Sequence, residues 1–121
     1  MEYDLVLVKN ILIHVKNTPI GNVVRATDLK YLNIDPLILG SHVKLMEEAD
    51  MIEAKIFPLK NANYRIFNIF RLKKTGYDFL DAWDNDKKRM RMIDIMEKCN
   101  TIAEFSTNLS MIFALTSGFR Q

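Results

Sequence analysis

A chain of 121 residues, 49% of them hydrophobic and 26% charged, has enough apolar side chains to form one packed core, which excludes a disordered chain. The net charge of +2 is too small to indicate a nucleic-acid partner by itself. Cys99 is the only cysteine, which excludes an internal disulfide, and no stretch resembles a signal peptide or a membrane span. We therefore expect a soluble cytoplasmic protein with no membrane partner.

The first element predicted is a helix over residues 2–17. Its branched apolar runs would also suit strands, but its length without a turn signal favours a helix. A breaker run at residues 17–22 ends it. The apolar residues that recur at helical spacing are Leu5, Val8, Leu12 and Val15.

Two further helices follow with the spacing of a helix-turn-helix. The first is short, over residues 27–32, and a turn of three residues separates it from the second. Asp35 suits the N-cap of the second helix, and Pro36 suits its first position because proline lacks the N–H that would have no partner there. We expect Asp50 to end this helix in the left-handed conformation, which aspartate adopts less easily than glycine.

The second helix runs into a predicted β-hairpin. Its strands are residues 51–57 and 64–72, and the turn-forming residues 58–63 separate them. A helix-turn-helix followed by a hairpin favours a winged helix. The predicted fold class is therefore α+β, mainly α: a winged helix-turn-helix with two additional C-terminal helices.

The additional helices follow a fourth helix that begins near Thr75 and ends at the breaker residues 84–86. Residues 87–100 form a charged helix, and Thr101 with Glu104 has the form of a capping box that starts the last one. We therefore divide the chain into a winged-helix domain, residues 1–84, and a helical extension, residues 85–121.

Two stretches carry a resemblance to a known family. Residues 42–53 have the sequence His-Val-Lys-Leu-Met-Glu-Glu-Ala-Asp-Met-Ile-Glu, close to the pattern His-Val-x-Leu-Leu-x-x-Ala-Gly-Leu-Ile-Glu. Residues 71–82 have Arg-Leu-Lys-Lys-Thr-Gly-Tyr-Asp-Phe-Leu-Asp-Ala, close to Arg-Leu-Thr-x-x-Gly-His-Asp-Phe-Leu-Asp-Ala. With these motifs the chain resembles an uncharacterised domain-of-unknown-function family of small bacterial, prophage and phage proteins.

This resemblance implies a winged-helix fold and an origin in a mobile element. It implies no activity, no cofactor and no catalytic residues. The chain departs from the pattern at two positions: Asp50 replaces the glycine that ends a helix, and Lys73 replaces the threonine that would cap the next one. Both departures concern local stability.

The second helix of the helix-turn-helix has few side chains that suit base recognition. With Leu39, Val43 and Met46 directed inward, no arginine, asparagine or glutamine is left on the outward face for a bidentate base contact. We keep Ser41 and Lys44 as candidate DNA contacts. The predicted outward face consists of Ile38, Ser41, His42, Lys44, Leu45 and Glu48.

The hairpin region suits phosphate contact better. Residues 54–77 contain six bases and no acid, whereas the rest of the chain is acidic overall. Such bases can contact duplex DNA without base recognition, and the alternative is a solvated basic hairpin. The six candidate residues are Lys55, Lys60, Arg65, Arg71, Lys73 and Lys74.

Two apolar features leave alternatives open. If Ile38 and Leu45 are exposed, they form an apolar stripe, which either the C-terminal helices cover or a protein partner binds. The apolar last helix packs either in the core or in a homodimer, and we predict a homodimer formed through this helix. The candidate dimer contacts are Phe105, Leu109, Ile112 and Phe113.

The chain lacks the motifs of an enzyme or a metal site. Neither His14 nor His42 has metal-ligand spacing with a cysteine or a second histidine, and no glycine-rich phosphate loop is present. We predict a small DNA-binding or regulatory protein of a mobile element, with no metal, that contacts duplex DNA through its basic wing. The alternative is a protein-binding adaptor or inhibitor, such as a phage anti-defence protein, on the same scaffold.

Overall fold

The protein is described from a computed structural model, which covers residues 4–61, 63–99, 104–105 and 107–109. The fold is α+β and mainly helical, with one three-stranded antiparallel sheet in the order β1-β3-β2. Among the described residues, no helix is long and apolar enough to cross a membrane. The elements are α1 (Leu5–Lys16), β1 (Val24–Arg25), a 3₁₀ helix (Ala26–Leu32), α2 (Pro36–Glu48), β2 (Ile52–Leu59), β3 (Asn63–Leu72), α3 (Lys74–Trp83) and α4 (Asp86–Met96).

Helix α1 confirms the prediction of a helix at the start of the chain. Its N-cap is Asp4, whose side chain accepts a hydrogen bond from the backbone N–H of Leu7 at 3.1 Å. This bond satisfies one of the free N–H groups of the first turn. All four residues of the predicted apolar stripe are buried: Leu5, Val8, Leu12 and Val15.

Strand β1 is absent from the sequence prediction because it has only two residues and its partner is distant in the chain. Val24 pairs with Ile69 of β3, and Arg25 pairs with Asn68. The short helix predicted next is a 3₁₀ helix that begins one residue earlier. Strand β1 extends the predicted hairpin to a sheet of three strands.

Helix α2 begins and ends as predicted. Asp35 Oδ1 accepts a hydrogen bond from the N–H of Leu37 at 2.8 Å, and Pro36 is the first helical residue. Asp50 has a φ of 63°, and the N–H of Met51 after it donates to the carbonyl of Met46. The N–H of Asp50 itself donates to the carbonyl of Glu47, which completes a Schellman motif.

The hairpin of β2 and β3 is longer than predicted. Ile52 pairs with Leu72, and the pairing continues to Leu59 with Asn63, with irregularities between Glu53 and Ala54 and near the turn. Pro58 lies inside β2 at the irregularity near the turn, a position in a strand that tolerates the missing N–H. The predicted break at this proline is therefore placed too early.

Helices α3 and α4 follow the hairpin, and residues 104–105 and 107–109 after them are also helical. No side chain caps the N-terminus of α3, where Lys73 occupies the N-cap, whereas Asn85 caps α4 through a hydrogen bond to the N–H of Lys88. The predicted capping box at Thr101 lies outside the described residues. The side chains that the C-terminal part contributes to the same hydrophobic core as α1 and α2 are Met92, Met96, Cys99, Phe105 and Leu109.

Candidate nucleic-acid interface

The outward face predicted for α2 is wrong at two positions. His42 is 3% exposed and Leu45 is 0% exposed, whereas Ile38 is 52% exposed. Helix α2 contacts α1 as well as both strands of the hairpin, so it buries a wider face than one apolar stripe. The predicted apolar stripe of Ile38 and Leu45 does not exist as a surface, because the core covers Leu45.

His42 is a structural residue that connects two helices. Its Nε2 accepts a hydrogen bond from the backbone N–H of Asp4 at 3.0 Å, and its Nδ1 lies 2.8 Å from the carbonyl oxygen of Ile38. Because a carbonyl oxygen can only accept and a backbone N–H can only donate, Nδ1 is the donor of this ring and Nε2 is the acceptor. This arrangement leaves His42 no free nitrogen for DNA.

The two DNA contacts predicted on α2, Ser41 and Lys44, are both engaged within the chain. The hydroxyl of Ser41 donates to the carbonyl of Leu37 at 2.8 Å. Nζ of Lys44 lies 3.2 Å from Oε1 of Glu48 and 5.7 Å from the centre of the Tyr64 ring. These contacts make α2 a poor reader of bases, as its composition also indicates.

Three of the six predicted bases near the hairpin form ion pairs. Nε of Arg71 contacts Glu53, and Nζ of Lys73 contacts Asp50. Lys74 lies 3.7 Å from Asp78 of the same helix. These acids lie outside residues 54–77, so counting charges within that segment does not find them.

The other three bases, Lys55, Lys60 and Arg65, form no ion pair within the described part of the chain. Lys55 lies on β2, Lys60 lies next to the turn residue Asn61, and Arg65 lies on β3 close to the same turn. All three are exposed. The hairpin therefore carries three exposed bases whose charge no acid among the described residues neutralises.

Arg25 is a further base that sequence analysis did not place in this region. It pairs with Asn68, and on the other side of β3 Asn68 pairs with Lys55. Cross-strand partners extend to the same face of a sheet, so Arg25 and Lys55 lie on one face. Only a prediction of β1 would have found this neighbour.

The predicted dimer contacts are only partly described. Phe105 and Leu109 are buried within the chain. Ile112 and Phe113 lie outside the described residues. Dimerisation through the last helix therefore stays a prediction, and for Phe105 and Leu109 the chain's own core already provides the packing surface.

An apolar groove lies at the start of α1 and α2, away from the hairpin turn. Its volume is about 720 Å³. Three of its apolar side chains are about half exposed: Val6, Leu37 and Ile38. The complete lining consists of Asp4, Leu5, Val6, Leu37, Ile38, Ser41, His42, Trp83, Ile93 and Glu97.

Comparison of the chain with protein-family models, with curated proteins and with solved structures gives no match. Among the described residues, no group of three or more histidine, cysteine, aspartate or glutamate side chains is arranged to hold a metal ion. The indications of function therefore come from the geometry of the protein's own surfaces.

Proposed function

We propose that the protein is a winged-helix DNA-binding protein that grips the phosphates of duplex DNA with its hairpin. The order of its elements supports this fold: a helix, a short strand, two helical segments and then a two-stranded hairpin. This is the order of a winged helix, with β2 and β3 as the wing. Helix α4 and the residues after it are then additions to that fold.

The observation that carries the proposal is the difference between paired and unpaired bases. Lys55, Lys60 and Arg65 have no acid partner among the described residues. The next three bases along the chain, Arg71, Lys73 and Lys74, each have one. An unpaired exposed base attracts phosphate without first losing an ion pair. These three side chains release counterions from DNA when they bind, which is the main source of affinity without sequence preference.

The contacts of α2 predict that sequence preference is weak. A helix that reads the major groove presents side chains with free donors and acceptors to the base edges. Ser41 and Lys44 are instead bonded to their own helix. We therefore expect the hairpin to supply most of the affinity, and Ser41→Ala with Lys44→Ala to change sequence preference only slightly.

Fluorescence anisotropy with two labelled duplexes of unrelated sequence tests the proposal at about 50 mM salt, where phosphate contacts are strong. We expect similar affinities for the two duplexes and a marked loss in Lys60→Ala with Arg65→Ala. The matched control is Lys16→Ala with Lys87→Ala, which removes the same charge from exposed positions on α1 and α4. Absence of binding by the unmodified protein, or an equal loss in the control, contradicts a hairpin interface.

The resemblance described above extends this proposal to a biological setting. It suggests a small regulatory protein of a bacterial mobile element, because the similar proteins come from prophages and phages as well as from bacteria. A protein that holds the DNA backbone with little sequence preference would need a partner or a second copy to act at a defined site. That requirement agrees with the proposed dimer.

The apolar groove supports a second candidate, a protein-binding adaptor or inhibitor. Leu37 and Ile38 project at its edge with about half of each side chain exposed, which is typical of an interaction site. Leu37→Ser with Ile38→Ser separates the candidates, because it leaves every hairpin base in place. If this variant keeps duplex binding but no longer binds a protein partner that the unmodified protein binds, the groove carries the function.

A further inference from the structure

The sheet has one face that the core does not cover. Phe67 and Ile69 of β3 are buried, and their partners on β2 are Ile56 and Ala54. Because side chains alternate along a strand, the residues between them extend to the opposite, outer face. The residues of this outer face are Arg25, Glu53, Lys55, Phe57, Ile66, Asn68, Phe70 and Arg71.

Two exposed aromatic rings lie on this outer face. Phe57 is 38% exposed and pairs with Ile66, which is 51% exposed. Phe70 is 43% exposed. It has no partner on β2, because the adjacent residues Glu53 and Ala54 pair with Arg71 and Ile69 on either side of it. Phenylalanine is among the residues most often buried, and two half-exposed rings with Ile66 on one surface form an apolar patch of the kind that marks an interaction site.

The charge on the same face is positive. Nζ of Lys55 lies 5.3 Å from the centre of the Phe57 ring, and Arg25 is two strands away across Asn68. Glu53 is the only acid in the three strands, and Arg71 pairs with it. Among the described residues of the three strands, the face therefore combines aromatic rings with the bases Lys55 and Arg25, and its one carboxylate is paired with Arg71.

We propose that this outer face binds single-stranded DNA, with bases stacked on Phe57 and Phe70 and phosphates held by Lys55 and Arg25. Stacking on an aromatic ring needs an unpaired base, because the bases of a duplex are already stacked on each other. Phe70 is four residues from Ile66, the partner of Phe57, so the rings are about 13 Å apart along β3 at ~3.3 Å per residue. A strand of several nucleotides spans that distance.

Charge and chemistry favour this occupant over a protein. An apolar protein surface would match the rings but would bury Lys55 and Arg25 without partners, which is costly. A nucleotide strand supplies a ring and a phosphate at every step, so it satisfies both kinds of side chain. The choice of DNA rather than RNA rests on the proposed function, because a strand that continues from a bound duplex is DNA.

The test measures binding of a labelled thymidine dodecamer and of the same backbone with every base removed. The abasic strand keeps the charge, so the unmodified protein should bind it at least about fivefold more weakly if stacking contributes as in other single-strand sites. Phe57→Leu with Phe70→Leu should weaken thymidine binding by a similar factor per ring and leave duplex binding unchanged. The matched control is Tyr77→Leu, an exposed aromatic ring on α3 whose loss should change neither affinity.

Each other outcome overturns the inference. Equal affinity for the thymidine and abasic strands would show that charge alone accounts for single-strand binding. This comparison uses the unmodified protein, so it does not depend on whether a variant folds. Tighter binding of a uridine RNA dodecamer than of the thymidine dodecamer would contradict the choice of DNA. If the protein binds no DNA and Phe57→Leu with Phe70→Leu abolishes a dimer, the occupant of the face is a second copy of the chain. The proposed function can hold while this inference fails. In that case Lys60→Ala with Arg65→Ala would still lose duplex binding, but the thymidine and abasic strands would bind equally well.

Discussion

Nε2 of His42, a residue buried on α2, accepts a hydrogen bond from the backbone N–H of Asp4 at 3.0 Å. Asp4 is the N-cap of α1, and its own side chain satisfies the N–H of Leu7. The two residues are 38 positions apart in the chain, so this bond fixes the start of the first helix against the middle of α2. The same two helices form one side of the apolar groove.

His42→Leu should destabilise the fold by about 1–3 kcal/mol. Leucine keeps most of the buried volume, but it leaves the N–H of Asp4 without its acceptor in a partly buried place. Chemical denaturation measures the free energy of unfolding. The control is His14→Leu, because the hydrogen bond of His14 to Tyr31 is exposed and its loss should cost under about 0.5 kcal/mol. Equal stability of His42→Leu and the unmodified protein would contradict a structural role for this ring.

Asp50→Gly should stabilise the protein by up to about 1 kcal/mol, because glycine adopts a φ of 63° without the strain of a Cβ atom. The exposed ion pair of Asp50 with Lys73 reduces this gain by little. Thermal unfolding of both proteins measures the difference. The control is Asp84→Gly, where φ is −74° and glycine brings no such benefit. A lower melting temperature for Asp50→Gly would show that the carboxylate contributes more than the strain costs.

Gly40→Ala should destabilise the contact between α2 and the hairpin by about 1–3 kcal/mol. A Cβ atom at this position would lie 2.4 Å from the carbonyl oxygen of Tyr64, and backbone cannot move aside as a side chain can. Alanine otherwise favours a helix, so a loss would isolate the close approach. Ser41→Ala on the next residue is the control. If Gly40→Ala is as stable as the control, the helix and strand can separate without cost.

The parts of the fold that follow from local chemistry are predictable from the sequence. Asp35 and Pro36 mark the start of α2 because capping depends only on neighbouring residues. Strand β1 was not predicted, since the pairing of Val24 with Ile69 depends on residues 45 positions apart. The burial of Leu45 was missed for the same reason, because its cover comes from elements that the helical pattern does not show.

The candidate site shows the same division. The sequence identifies the basic hairpin but not which of its bases are free, because ion pairs such as that of Arg71 with Glu53 depend on the register of the strands. Arg25 escaped prediction because it joins the hairpin only through β1. The outer face of Phe57 and Phe70 also depends on register, since one irregularity decides where Phe70 lies.

The salt dependence of duplex binding tests most directly whether the hairpin holds phosphates. Each phosphate contact contributes about 0.9 to the slope of log K against log salt, so Lys60→Ala with Arg65→Ala should reduce the slope by roughly two. The control is Arg71→Ala with Lys73→Ala, which removes the same charge from two bases that already have acid partners. We expect little change of slope in that control. An equal reduction in both variants, or no binding at about 50 mM salt, would contradict a hairpin that holds phosphates through its unpaired bases.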